Sequence, residues 1–235
     1  MSPPTRLRPT RPRPPSETTP SAGGTPGARS SPPCVAVTGG IGSGKSEALA
    51  AFAACGAATL SSDQVVHDLY AEPEVRAAVA ERFGPAVLAP DGGVDRGALG
   101  ARAFAQEGGL AFLEGLLHPR IERRRGAWVA EQSARRPPPP LLVCEVPLLF
   151  EAGIAGRFDA ALLVTASAEV RRARVEARGQ DFDARSARQM PEDEKAARAD
   201  RVLVNDGAVG ALRAWVAERF AEYAGRPCDA PNRDH

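Results

Sequence analysis

Residues 34–54 read C-V-A-V-T-G-G-I-G-S-G-K-S-E-A-L-A-A-F-A-A, and this stretch decides the fold. Cys34 to Thr38 is an apolar run of the length and β-branched content of a buried strand. The next six residues carry four glycines, which let a chain turn sharply, and Lys45 to about Ala54 returns to a helix-forming composition. Gly39 to Ser46 satisfies G-x-x-x-x-G-K-[ST] in the strand–loop–helix setting that a phosphate-binding loop requires. The backbone N–H groups of Gly39, Gly40, Ile41, Gly42, Ser43 and Gly44 can turn inward around a triphosphate, helped by the partial positive charge of the helix N-terminus. Lys45 then reaches the β- and γ-phosphates and the Ser46 hydroxyl ligates Mg²⁺. ATP and Mg²⁺ are the expected cofactors.

Working outward, short apolar runs alternate with helical stretches, the pattern of βαβ units on a parallel sheet. The further strands expected are Ala57–Leu60, Leu141–Val146, Ala160–Val164 and Arg201–Asn205. Between Asp63 and about Ser133 the chain reads as consecutive helices: Pro73 opens one, Asp95 caps another, and Pro119 is expected in the first turn of a third. Ser167 caps a later helix, and a terminal helix repeats apolar residues at Val209, Leu212, Val216, Phe220 and Tyr223. The fold class is therefore α/β, a parallel sheet of the P-loop NTPase type flanked by helices, with a helical insertion.

Composition narrows the function. The 235 residues suffice for a sizeable core without covalent staples, and no apolar run approaches the length of a bilayer span. The first 33 residues hold ten prolines and five arginines against one acid, which reads as a disordered tail and as neither a secretory signal nor a transit peptide. The remaining residues carry 25 basic and 28 acidic groups, so neither a nucleic-acid nor a membrane partner is expected. Cys34, Cys55, Cys144 and Cys228 are widely spaced, which argues against a zinc site or a disulfide framework and for a reducing cytoplasm. Of thirty basic residues only Lys45 and Lys195 are lysines, so a lysine placed where a mechanism needs one carries weight. The guanine-reading N-K-x-D and the Leu-Ser-Gly-Gly-Gln helix start of ABC-type ATPases do not occur, which leaves a small-molecule kinase with a helical acceptor domain and an Arg-rich lid.

The wording V-A-V-T-G-G-I-G-S-G-K-S, with S-S-D-Q-V-V-H-D-L-Y at 61–70, L-L-H-P at 116–119, E-V-P-L-L-F-E at 145–151 and Q-M-P-E-D-E-K-A-A-R-A-D-R-V-L-V-N-D-G at 189–207, resembles the dephospho-CoA kinases over residues 34–223. The resemblance implies transfer of the ATP γ-phosphoryl to the ribose 3′-hydroxyl of dephospho-CoA. It also implies a core of residues 34–62, 140–166 and 199–225, a CoA-binding helical domain over 63–136 and a lid over 167–198, with 226–235 as a frayed end. Asp63, just past the second strand, becomes the residue that receives or orients the acceptor's proton, with a helix N-cap as its structural alternative. Glu145, ending a strand, is a candidate for holding Mg²⁺ through water, or is simply solvated. His118 falls near the acceptor face, or else packs at a helix start. Among eight arginines between 171 and 201, Arg178 and Arg188 fit the family's lid pattern best, as catalytic guanidiniums closing over the phosphoryl oxygens, and Asn205 resembles its adenine-contacting loop, or is an ordinary turn residue.

Two positions depart from the family. Glu47 stands where Thr is usual and is expected to point away from the nucleotide, and Ser61 replaces the first acid of an Asp-x-Asp pair, leaving Asp63 alone. Two other readings stay open: a kinase for another small hydroxyl acceptor, and a nucleotide-sensing module without transfer.

Overall fold

A computed structural model of the chain describes residues 31–187 and 189–228. Most of the two expected tails, 1–30 and 229–235, and also Arg188 lie outside the described residues. Five parallel strands form one sheet in the order β2-β3-β1-β4-β5, where β1 is Cys34–Thr38, β2 Ala58–Leu60, β3 Leu142–Glu145, β4 Ala160–Thr165 and β5 Arg201–Val204. The expected strands are all present, shifted by a residue or two at their ends where hydrogen-bonded pairing stops before apolar character does.

Nine helices accompany the sheet among the described residues: α1 Lys45–Ala54, α2 Ser62–Ala71, α3 Pro73–Phe83, α4 Arg96–Ala105, α5 Gly109–Ala134, α6 Ala168–Glu176, α7 Phe182–Ser186, α8 Glu192–Arg198 and α9 Val209–Ala224. The period-two alternation of β1 sorts its side chains to two faces. Val35 and Val37 face Ala48, Leu49 and Phe52 of α1 and Leu212, Val216 and Phe220 of α9. Ala36 faces the other side with Cys144, Val146, Leu149 and Phe150. Covering both faces explains why β1, β3 and β4 are apolar up to their last residue, and each fully buried large side chain contributes about 1.5–3 kcal/mol.

The segment from α2 to α5 builds its own apolar clusters, Val79, Phe83, Val87, Leu99 and Ala103 in one and Val65, Leu69, Val75 and Leu117 in another. Pro73 opens α3, and Asp95 caps α4 by accepting from the N–H groups of Gly97 at 2.9 Å and Ala98 at 3.0 Å. Pro119 departs from expectation: it lies inside α5, which runs on for 26 residues. The proline lacks only its own N–H donor, and packing of Leu117 and neighbours on both sides outweighs that loss.

The cysteines also correct the sequence reading. Cys55 and Cys228 form a disulfide across 173 residues of sequence. Cys55 caps the C-terminus of α1 and Cys228 follows α9, and the two helices pack side by side on the same sheet face, which brings their ends together. Chain spacing carries no trace of such a tertiary pairing. It also fastens residues 226–228, the start of the segment expected to fray.

Candidate active site

All five strands deliver a residue to the carboxyl edge of the sheet, the edge where ligands bind in open α/β folds. After β1 the loop Gly39–Gly44 wraps into α1. Gly39 has φ +147° and a Cβ there would lie 2.0 Å from the Val164 carbonyl oxygen on neighbouring β4, so no side chain fits. Gly44 has φ +104°, and its Cβ would meet the Asn205 Nδ2 at 2.3 Å.

That second approach reveals what Asn205 does. It is buried, and its Nδ2 donates to the Ser43 carbonyl oxygen at 2.9 Å. Arg174 ties the same region together, donating to the Gly42 carbonyl at 3.3 Å and to the Asn205 carbonyl at 3.0 Å. Asn205 thus braces the loop from the end of β5. On the open side, Lys45 Nζ donates to the Gly40 carbonyl at 2.9 Å and the Ile41 N–H donates to Gln189 Oε1 at 2.9 Å. Ser46 is exposed at the first turn of α1, while Glu47 turns away to pair with Arg213 of α9 at 3.3 Å, as expected.

Glu145 is the last residue of β3 and is buried beside the loop lysine. Its Oε2 accepts from Ser61 Oγ at 3.0 Å, and its backbone carbonyl accepts from Ser62 Oγ. Burial pushes the Glu145 carboxyl above its ordinary range, opposed by the Lys45 charge and the Ser61 hydrogen bond and reinforced by Asp63. Burial likewise pulls the Lys45 ammonium below its ordinary value; Glu145 opposes this, Lys195 adds to it, and Asp63 and Glu192 oppose it. Asp63 is exposed in the first turn of α2, two residues beyond the N-cap Ser61, so the capping alternative is not its geometry.

These groups suit a magnesium ion. A hydroxyl on Ser46 and carboxylates on Glu145 and Asp63 are hard oxygen donors. Among the described residues no group of three or more His, Cys, Asp or Glu could enclose a metal unaided. Such a sparse set is what Mg²⁺ uses when substrate phosphates and water complete its octahedron.

Asp63 and His118 line one cavity of about 440 Å³, together with Tyr70, Leu113, Leu117 and Ile121. The structure therefore brings these two sequence candidates to a single pocket formed by α2, α5 and the residues after β3. Of the lid arginines, Arg178 is exposed in the turn after α6. Arg171 instead turns inward: its Nε donates to the Ala166 carbonyl at 3.1 Å, and its Nη1 lies 2.7 Å from the point where a Cβ on Gly40 would sit. Sequence reasoning singled out neither Arg171 nor Arg174. The signal was Val175, a buried apolar residue in a strongly charged helix, which shares its face with Arg171 one turn earlier.

A family model described as dephospho-CoA kinase matches residues 33–211. A dephospho-CoA kinase of Symbiobacterium thermophilum is 39% identical over 196 residues, covering 81% of each chain. Another from Anaeromyxobacter dehalogenans is 40% identical over 200 residues, covering 81% of this chain and 92% of that relative. Among solved structures, the crystal structure of TT1252 from Thermus thermophilus superposes with a TM-score of 0.67 at 35% identity, covering 82% of this chain and 98% of the other.

Proposed function

The chain belongs to the dephospho-CoA kinase family, and we propose that in its ATP-dependent phosphorylation of dephospho-CoA the side chain of Asp63 serves the acceptor hydroxyl while Lys45 holds the phosphate being transferred. The products are CoA and ADP, at the final step of coenzyme A synthesis. The observation that carries the assignment is position: Asp63 lies on the wall of the 440 Å³ cavity and close enough to Lys45 for its charge to favour the protonated ammonium.

The chemistry follows from that juxtaposition. A ribose hydroxyl is a weak nucleophile at neutral pH. As its oxygen approaches the γ-phosphorus, the O–H bond weakens, the new O–P bond forms, and the β–γ bridging bond breaks with its electrons passing to ADP. The Asp63 carboxylate orients the hydroxyl and accepts the proton. Lys45 and the loop N–H groups bind the charge spread over the phosphoryl oxygens, and Arg171 beside Gly40 stands near the same charge. Ser46, and Glu145 through water, would hold Mg²⁺, which would neutralise phosphate charge when bound. His118, exposed on the cavity wall, is assigned to acceptor binding. Arg178 and Arg188 are assigned to the lid that excludes water, and the division into core over 34–62, 140–166 and 199–225, acceptor domain over 63–136 and lid over 167–198 goes with this reading. No helix among the described residues is long and apolar enough to cross a membrane, and the reaction is assigned to the cytoplasm.

Asp63→Asn tests the assignment. Asparagine keeps the size and loses only a favourable charge in the first turn of α2, so stability should change by less than about 1 kcal/mol. ATP affinity should hold while kcat with dephospho-CoA falls roughly 10²-fold or more. Turnover at the unsubstituted rate, or unfolding, would remove Asp63 from the reaction.

A further inference from the structure

Lys195 is the second of the two lysines, and the mechanism above does not use it. It projects from α8 with a fully buried side chain. Its Nζ stands 3.1 Å from Glu151 Oε1 and 3.8 Å from Glu192 Oε1, and neither approach has hydrogen-bond geometry. Burying an ammonium in so dry a place is costly unless opposite charge stands beside it.

The offsetting groups lead directly to the phosphate cradle. Glu192 Oε1 and Arg171 Nη1 each lie 2.7 Å from the point beside Gly40 where a Cβ would sit. The other Glu192 oxygen accepts from Thr165 Oγ1 at the end of β4. Glu151 Oε1 accepts from the Met190 N–H at 2.9 Å, and the preceding Gln189 accepts from the Ile41 N–H of the loop. Lys195 thus stands beside two carboxylates, Glu151 and Glu192, and Arg171 reaches the same point beside Gly40 as Glu192 does. The four side chains join α6, α8, the turn after β3 and the end of β4 around the loop.

We propose that Lys195 is a positioning residue for phosphoryl transfer: by pairing with Glu151 and Glu192 it fastens the 189–195 segment against Gly40 and Ile41, closing the γ-phosphate end of the loop to water. Removing its charge leaves Glu151 and Glu192 without their ammonium partner. The segment loses its anchor, and one positive charge is removed beside an anionic substrate. Water then competes with the acceptor hydroxyl for the γ-phosphorus. In that side reaction a water oxygen forms the new O–P bond, its proton goes to solvent, and ADP leaves with free phosphate as the second product.

The inference rests on the kinase reading, so the unsubstituted protein is assayed first with Mg²⁺-ATP, with and without dephospho-CoA. ADP formed per CoA formed should be close to one; absence of CoA would count against the kinase reading itself. Lys195→Met should lower kcat at least 10-fold, leave KM for dephospho-CoA within about two-fold, and raise ADP per CoA well above one. Glu192→Gln keeps the shape of a partly exposed side chain and the buried ammonium, and should raise the same ratio. A merely structural lysine predicts that activity falls in step with the folded fraction, followed by melting temperature, with the ratio staying at one. That result in Lys195→Met, or a ratio of one in folded Glu192→Gln should the first variant not fold, would overturn the proposal.

Discussion

Asn205→Ala separates bracing of the phosphate loop from contact with the nucleotide base. The substitution deletes an amide whose residue is only 8% exposed and which donates to the Ser43 carbonyl at 2.9 Å. The backbone of the residue stays anchored, because its N–H donates to the Thr165 carbonyl at 2.7 Å and its own carbonyl still accepts from Arg174. The loss is therefore confined to one hydrogen bond and the small void left by the amide. A buried carbonyl deprived of its donor costs about 1–3 kcal/mol, and taking about 2 kcal/mol the melting temperature of a domain this size falls by roughly 4–8 °C. The assay is thermal unfolding without nucleotide, followed by titration with ATP and then GTP. ATP affinity should drop several-fold, since the loop no longer waits in its binding shape, and the preference for ATP over GTP should not change. A nucleotide-free melting temperature within about 1 °C of the parent, with ATP binding and base preference both lost, would show that Asn205 reads the base and that the bracing argument is wrong.

Lys45→Met should abolish transfer, with kcat down on the order of 10²-fold or more, while circular dichroism and melting temperature stay near the parent values, because the side chain acts on phosphate charge. Near-normal kcat would detach the loop from the reaction. Cys228→Ser, or full reduction of the parent protein, should destabilise by about 2–4 kcal/mol, since the bond closes a loop spanning most of the domain, and chemical unfolding under oxidising and reducing conditions measures it. An unchanged unfolding midpoint would mean that this bond does not form in solution.

What could be read from the chain divides by the range of the interaction involved. Strand β1, the loop and α1 were legible because strand, turn and helix signals occur in unbroken order within residues 34–54. The placement of Asp63 and Glu145 at the carboxyl edge was legible because each ends or follows a strand, and that edge of a parallel sheet is fixed by topology. The bracing by Asn205 was not, because a turn asparagine looks the same whether its amide meets solvent or a carbonyl 162 residues away. The same holds for Cys55 and Cys228, which only the side-by-side packing of α1 and α9 brings together. Arg171 and Arg178 lie on one helix and its following turn, and motif spacing alone does not tell which one turns toward Gly40.

Ser61 shows how a departure in sequence becomes intelligible once its neighbours are placed. Read along the chain, serine in place of an acid removes a carboxylate and looks like a loss. In the structure, position 61 stands 3.0 Å from a buried glutamate that already bears the cost of desolvation and the repulsion of Asp63. A third carboxylate there would push Glu145 further toward its neutral form and weaken it as a partner for Lys45 or a cation. A hydroxyl does the reverse, donating to Glu145 Oε2 and favouring the ionised form. With serine at 61, the hydrogen bond works against the effect of burial on Glu145 beside Lys45, and the exposed Asp63 lines the neighbouring cavity. The two carboxylates are thereby divided between a buried place beside the loop lysine and an exposed place on the cavity wall, the division that the proposed roles of Glu145 and Asp63 require.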